Sequence, residues 1–207
     1  MKVRILALPV LGVGVLASPA QAHLVTTGLG PFYDGIGHLA VSPTDLLALV
    51  ALALLAGLGG PSRGRTMVAT LPATWLVGGL VGLLATAEIL LPLVIAIALL
   101  CLGVLVVVDA PVSRSMTMLV AAAAGLLFGG MNGSALAAAG SGPLGLVGIV
   151  AGATVGLFLL SAVAASARAP WQRIAMRVAG SWIAAIAILM VGWSFAGQLG
   201  LLLQAGQ

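Results

Sequence analysis

The sequence predicts an all-α protein, a polytopic membrane helix bundle of about six transmembrane helices after a cleaved signal peptide. Three observations carry that reading. Of the 207 residues 62% are apolar and only 6% charged, and the mean hydropathy is +1.28, whereas a soluble domain covers its surface with roughly a quarter of its residues charged. Apolar runs close to the ~20 residues that a bilayer core requires alternate with short polar breaks. The basic residues form no patch: Lys2 and Arg4 stand at the start, and the other six, all arginines, fall in alternate breaks. Such a composition excludes an ordinary cytosolic enzyme. The scatter of its positive charge orients helices in a bilayer and excludes a nucleic-acid surface.

The first element is a processing signal. Lys2 and Arg4 make a positive start, Ile5 to Ala17 is an apolar stretch too short to span, and Ser18-Pro19-Ala20-Gln21-Ala22 ends in an Ala-x-Ala site behind a helix-breaking proline. Cleavage after Ala22 makes residues 1–22 a signal peptide and leaves 23–207 as a single integral-membrane domain that begins with His23 outside the cytoplasm. The competing reading is an uncleaved anchor. Six spans follow, near 43–60, 66–85, 89–108, 116–138, 144–167 and 175–199. With an outside N-terminus, the breaks after spans one, three and five face the cytoplasm. Those three breaks contain Arg63 and Arg65, then Arg114, then Arg168, Arg173 and Arg177, so every loop obeys the positive-inside rule and both mature termini lie outside.

Glycine spacing indicates how the spans pack. Gly125, Gly129 and Gly133 recur every four residues in span four, as do Gly148, Gly152 and Gly156 in span five. Small residues at this spacing form flat stripes that let backbones approach closely, so the two spans are expected to pack on each other or on a shared neighbour. Gly78 and Gly82 repeat the pattern in span two. Trp75, Trp171, Trp182 and Trp193 lie mostly near span ends and read as interface anchors. Cys101, the one cysteine, sits inside an apolar run and reads as a packing residue, and a lone cysteine excludes an internal disulfide.

The residues able to do chemistry are few and segregated. His23, Asp34, His38, Asp45 and Glu88 all belong to the outer segments, opposite the arginines, with Asp109 the one carboxylate on the inner side. Asp34 and His38 are spaced i and i+4, which on a helical turn puts carboxylate and imidazole on one face. Imidazole nitrogen with carboxylate oxygen suits nickel, cobalt or zinc, and a free His23 would add an amine beside its imidazole. The structural alternative is that His38 is solvated or hydrogen-bonded and that Asp34 or Asp45 caps a helix. Ser42-Pro43-Thr44-Asp45 reads well as a helix start.

Ala22-His23 at the signal junction, the Pro31-Phe32 turn running through Gly35 to His38-Leu39, and Phe128-Gly129-Gly130 in the fourth span resemble the HupE/UreJ family of bacterial membrane proteins. The resemblance implies a permease or accessory protein of hydrogenase and urease systems in the inner (cytoplasmic) membrane. Nickel or cobalt would be its transported ion rather than a resident cofactor. The implied partners are the lipid bilayer and metalloenzyme accessory proteins, with no nucleic acid; nothing in the sequence speaks to oligomeric state. The chain departs from the family pattern in two places. Gly30 and Gly37 replace a His and an Asp of the first motif, and Phe128-Gly129-Gly130-Met131-Asn132-Gly133-Ser134 stands where the family carries a His-rich Phe-His-Gly-x-x-His-Gly-like run.

Asn132 is then the most informative polar residue at membrane depth, because such groups are usually buried in protein or line a cavity. Met131 beside it offers a soft sulfur, and the alternative is an interhelical hydrogen bond with Met131 as packing. No GxSxG, HExxH or Walker pattern is present, so the contest is between a transporter and a non-transporting membrane scaffold that serves a metalloenzyme. The topology has its own test. Reporter fusions after Gly64 and after Gln207 should read cytoplasmic and external respectively, and the opposite pair would overturn the arrangement.

Overall fold

The computed structural model describes residues 26–84, 92–109 and 111–205, with 197–205 as backbone alone. The signal segment, His23 and Glu88 lie outside the described residues. Within them the regular elements are seven α-helices: α1 Pro31–Val41, α2 Pro43–Leu58, α3 Pro61–Leu84, α4 Pro92–Val107, α5 Arg114–Ala138, α6 Gly142–Ser166 and α7 Pro170–Ala205. All except α5 carry proline at the first or second position, where its fixed φ suits a helix start and its missing N–H costs nothing.

Proline also accounts for two boundaries that the polar breaks place too late. Helix α3 starts at Pro61 and α7 at Pro170, so Arg63, Arg65, Arg173 and Arg177 are helical rather than loop residues. A long arginine side chain can lie along apolar surface and lift its head to water, so a charge need not end a helix. The apolar runs predict no separate first helix, yet residues 31–41 form one. Ser42 alone separates it from α2, and the pair is bent by 77°. The bend follows from Pro43, which drives the preceding residue out of the helical region; Ser42 sits at φ −82°, ψ 104°. Its Oγ accepts the Asp45 backbone N–H (3.4 Å), which caps α2.

Four helices, α3, α5, α6 and α7, are long and apolar enough to cross a membrane, and the bent α1–α2 pair would make a fifth. Helix α4, with 16 residues, extends about 24 Å at 1.5 Å per residue, short of a ~30 Å hydrocarbon core. The protein is therefore an all-helical membrane bundle with four candidate spans by length and composition.

Helix α3 packs chiefly on α5, α4 on α7, and α1 and α2 on α6, while α5 and α6 barely touch. Helix α3 also packs on α6, so α5 and α6 share it as a neighbour, although their glycine stripes face different helices. A Cβ on Gly129 would meet the backbone of Trp75, and one on Gly133 the backbone of Gly79. In return Gly78 and Gly82 face the backbones of Leu126 and Gly130. The α3–α5 seam is thus backbone against backbone, with Thr74 Oγ1 near Ala121 O (3.4 Å) and Ser134 Oγ near Gly82 O (3.4 Å) as polar links. On α6, Gly148 meets the Phe32 backbone of α1, whereas Gly152 and Gly156 face the side chains of Leu39 and Leu49. Trp75 is no interface anchor: it is fully buried in the α3–α5 seam, its ring 6.0 Å from that of Phe128. Trp171, Trp182 and Trp193 are exposed on α7.

The three arginine-bearing corners come to one end of the bundle. Arg173 Nη2 donates to Asp109 Oδ2 (2.6 Å) and Arg177 Nε to Val107 O (2.7 Å), which joins the start of α7 to the end of α4. Gly57, near the α2–α3 corner, lies against Ala164 near the α6–α7 corner. The seam itself is testable. Gly129→Leu should lower stability in detergent by about 1–3 kcal/mol, the usual cost of overpacking, because neither backbone can yield; Gly192→Leu, with open space around it, should melt like the parent.

Candidate functional site

At the end opposite the arginines the bend between α1 and α2 concentrates polar groups. His38 lies in the last turn of α1 and Asp45 in the first turn of α2. Both are buried, at 8% and 2% exposure, and Ser42 alone separates their helices. His38 O accepts the Ser42 N–H (3.0 Å), closing α1 directly before the start of α2.

Helix α5 supplies the third group. Asn132, 2% exposed, donates from Nδ2 to Asp45 Oδ1 (3.1 Å) and to Phe128 O (2.8 Å). These two acceptors settle which way the amide faces, since the flipped amide would set oxygen against a carboxylate and a carbonyl. The amide oxygen Oδ1 is left buried with no hydrogen-bond partner among the described residues, and so is the Trp75 Nε1 donor on the facing helix. A buried polar atom without a partner costs about 1–3 kcal/mol, so the Asn132 oxygen is a costly group to keep in this seam, on the same side chain whose Nδ2 bonds Asp45.

The other candidates are arranged differently. Asp34 is partly exposed, and its Oδ1 accepts from the Thr27 backbone N–H (2.6 Å) and Oγ1 (2.7 Å), tying the chain ahead of α1 to that helix. It shares α1 with His38, while its side-chain hydrogen bonds lead away toward Thr27. Met131 is half-buried and packs on the hydrophobic core beside the seam. No group of three or more His, Cys, Asp or Glu gathers among the described residues; the polar side chains buried at this end are the His38 imidazole, the Asp45 carboxyl and the Asn132 amide. The sequence identified these three residues singly. It did not show that Asp45 and Asn132, 87 positions apart, would bond, nor that Trp75 would stand in the same seam.

A family model described as HupE / UreJ protein matches residues 11–190. The chain belongs to the HupE/UreJ family. The match runs from before the first described helix into α7, and so covers the helices that build the polar cluster. HupE/UreJ proteins form a membrane transport or accessory family, linked to nickel and cobalt transport, rather than an enzyme family. No curated protein and no solved structure matches this HupE/UreJ chain significantly.

The Asp45–Asn132 bond invites a double-mutant cycle. Asn132→Ala should cost about 1–3 kcal/mol by stranding a buried carboxylate. Adding Asp45→Leu should cost less than the two single changes summed, by at least about 0.5 kcal/mol. Additive melting temperatures would show that the two side chains do not support each other.

Proposed function

We propose that the protein is an inner-membrane permease of the HupE/UreJ type that takes up a divalent transition metal, nickel or cobalt, from the periplasmic side through a first site on His38 and Asp45. The observation that carries this reading is the conjunction of a buried imidazole, a buried carboxylate and the unpaired Asn132 oxygen at the arginine-free end of a membrane bundle. Nitrogen and oxygen donors of this kind suit nickel, cobalt and zinc. A cation approaching this end meets no arginine among the described residues, since the six described arginines lie at the other.

The topology belongs to the same reading: a signal peptide cleaved after Ala22, six crossings, and a mature N-terminus in the periplasm. Family membership and the alternation of the arginines support it. In that arrangement His23, with its amine, and Glu88 are available on the same side as His38, and Asp34 is an outer carboxylate that attracts cations before they reach the buried pair.

One observation favours a second reading. From the polar cluster toward the arginine end the bundle is filled by Leu49, Leu52, Leu55, Met67, Leu71 and Leu157, all buried. A transporter must open that plug, whereas an accessory protein that holds metal for a partner enzyme system need not.

Uptake of radioactive nickel and cobalt by cells carrying the protein, against empty controls, separates the two. Transport predicts accumulation that falls at least about tenfold in His38→Ala and Asp45→Asn, since even outer-shell metal partners have effects of that size, with a smaller loss in Asp34→Asn. Binding by the purified protein without accumulation favours the accessory role. Ligation requires a neutral imidazole, so binding should weaken on acidification. No binding of nickel, cobalt, zinc or copper at micromolar levels would remove the metal reading altogether.

A further inference from the structure

The arginine-bearing end has a feature that metal handling does not use. Between the α2–α3 corner and the last turns of α6 lies a groove of about 420 Å³, within the ~300–1,000 Å³ range of ligand clefts, with Gly60, Gly64, Arg65, Val68, Phe158 and Ala165 among its lining residues. Its one deep hydroxyl, on Ser161, is already engaged with Phe158 O (3.1 Å). The groove exists because Gly60 and Gly64 have no side chains to fill it: a Cβ at either position would meet nothing within 4 Å. It opens sideways rather than into the bundle, for Phe158, Ala162 and Ala165 are exposed on the flank of α6.

We infer that this groove binds an anionic phospholipid, with an acyl chain laid along Val68 and Phe158 and the phosphate on Arg65. Three features select that occupant. The lining apart from Arg65 and the engaged Ser161 offers only apolar side chains and glycine, so it accepts an alkyl chain and repels a hydrated solute. Arg65 is exposed at the rim and makes no hydrogen bond or ion pair among the described residues, which leaves its guanidinium free for bidentate contact with phosphate. The carboxylate described at this end, Asp109, is bonded to Arg173 and so does not compete for Arg65. A groove that opens on the flank of a membrane helix is met by acyl chains, and in the topology proposed above, on which this point rests, the arginine end lies at the cytoplasmic leaflet, where anionic lipids concentrate.

Native mass spectrometry of the purified full-length protein, supplied with equal phosphatidylglycerol and phosphatidylcholine, tests the inference independently of metal transport. The parent should retain phosphatidylglycerol by about fivefold over phosphatidylcholine, the scale of one basic residue at a lipid surface. Arg65→Gln should abolish the preference and leave chain binding, while Arg114→Gln, a matched loss of charge on α5, should keep it. Gly64→Leu should displace both lipids by filling the groove; if that variant does not fold, Ala162→Leu fills it from α6. Equal retention of the two lipids by the parent, an unchanged preference in Arg65→Gln, or retention by both groove-filling variants would overturn the proposal. Displacement of the lipid by millimolar inorganic phosphate would also overturn it, since that identifies a bare anion site.

Discussion

The structure turns on a carboxylate held out of water. Asp45 is 2% exposed near the end of an apolar bundle, a position that an acid occupies only with partners around it. Each local feature supplies one. Pro43 forces the bend that brings His38 over the start of α2, Ser42 caps that helix, and Asn132 reaches across from α5 with an N–H donor. Asn132 can reach because α3 and α5 meet through glycines, which fixes the height and rotation of α5 to within what backbone contact allows. Packing at one seam therefore sets the electrostatics of a cluster built largely on another pair of helices.

The two ends of the bundle divide the chemistry by sign. Arginines gather at the corners of α2–α3, α4–α5 and α6–α7, where Asp109 adopts a left-handed backbone (φ 49°) and its carboxylate bonds Arg173. A short polar side chain tolerates that conformation better than a bulky one. At the other end lie an imidazole, a buried carboxylate and an unpaired amide oxygen, with Asp34 outside them. A cation is attracted to one end and repelled from the other, so the bundle has an electrostatic direction before any conformational change is considered.

The helical membrane class and the approximate extent of most helices were legible, because hydropathy at a period close to the bilayer thickness is a strong one-dimensional signal. The proline starts were equally present in the sequence and fix α3 and α7 better than the arginines do. Less legible was anything that depends on which helices touch. Gly125, Gly129 and Gly133 announce a close approach, yet only the fold shows that the partner is α3 and not α6. Trp75 read as an interface residue by its type and place, and it is core because Gly129 makes room beside it. Asp45 could be flagged as an acid in an apolar run, whereas its bond to a residue 87 positions away has no local signature.

The departures from the family's fourth-span pattern acquire a physical meaning in that seam. In the Phe-His-Gly-x-x-His-Gly-like pattern the two histidine positions correspond to Gly129 and Gly133 here. Those are the residues whose Cβ would strike the backbones of Trp75 and Gly79. An imidazole at either position would have to push α3 and α5 apart, so this chain cannot combine its close seam with histidines at those two positions. What remains is Asn132, between them in sequence, which offers an oxygen where an imidazole would offer nitrogen. An amide oxygen is a harder donor than an imidazole nitrogen, and beside the same His38 and Asp45 it would hold a nickel-type cation less firmly than a second histidine. On the proposed reading, weaker holding at the first site would suit permeation, since an ion that is to move on must also be released.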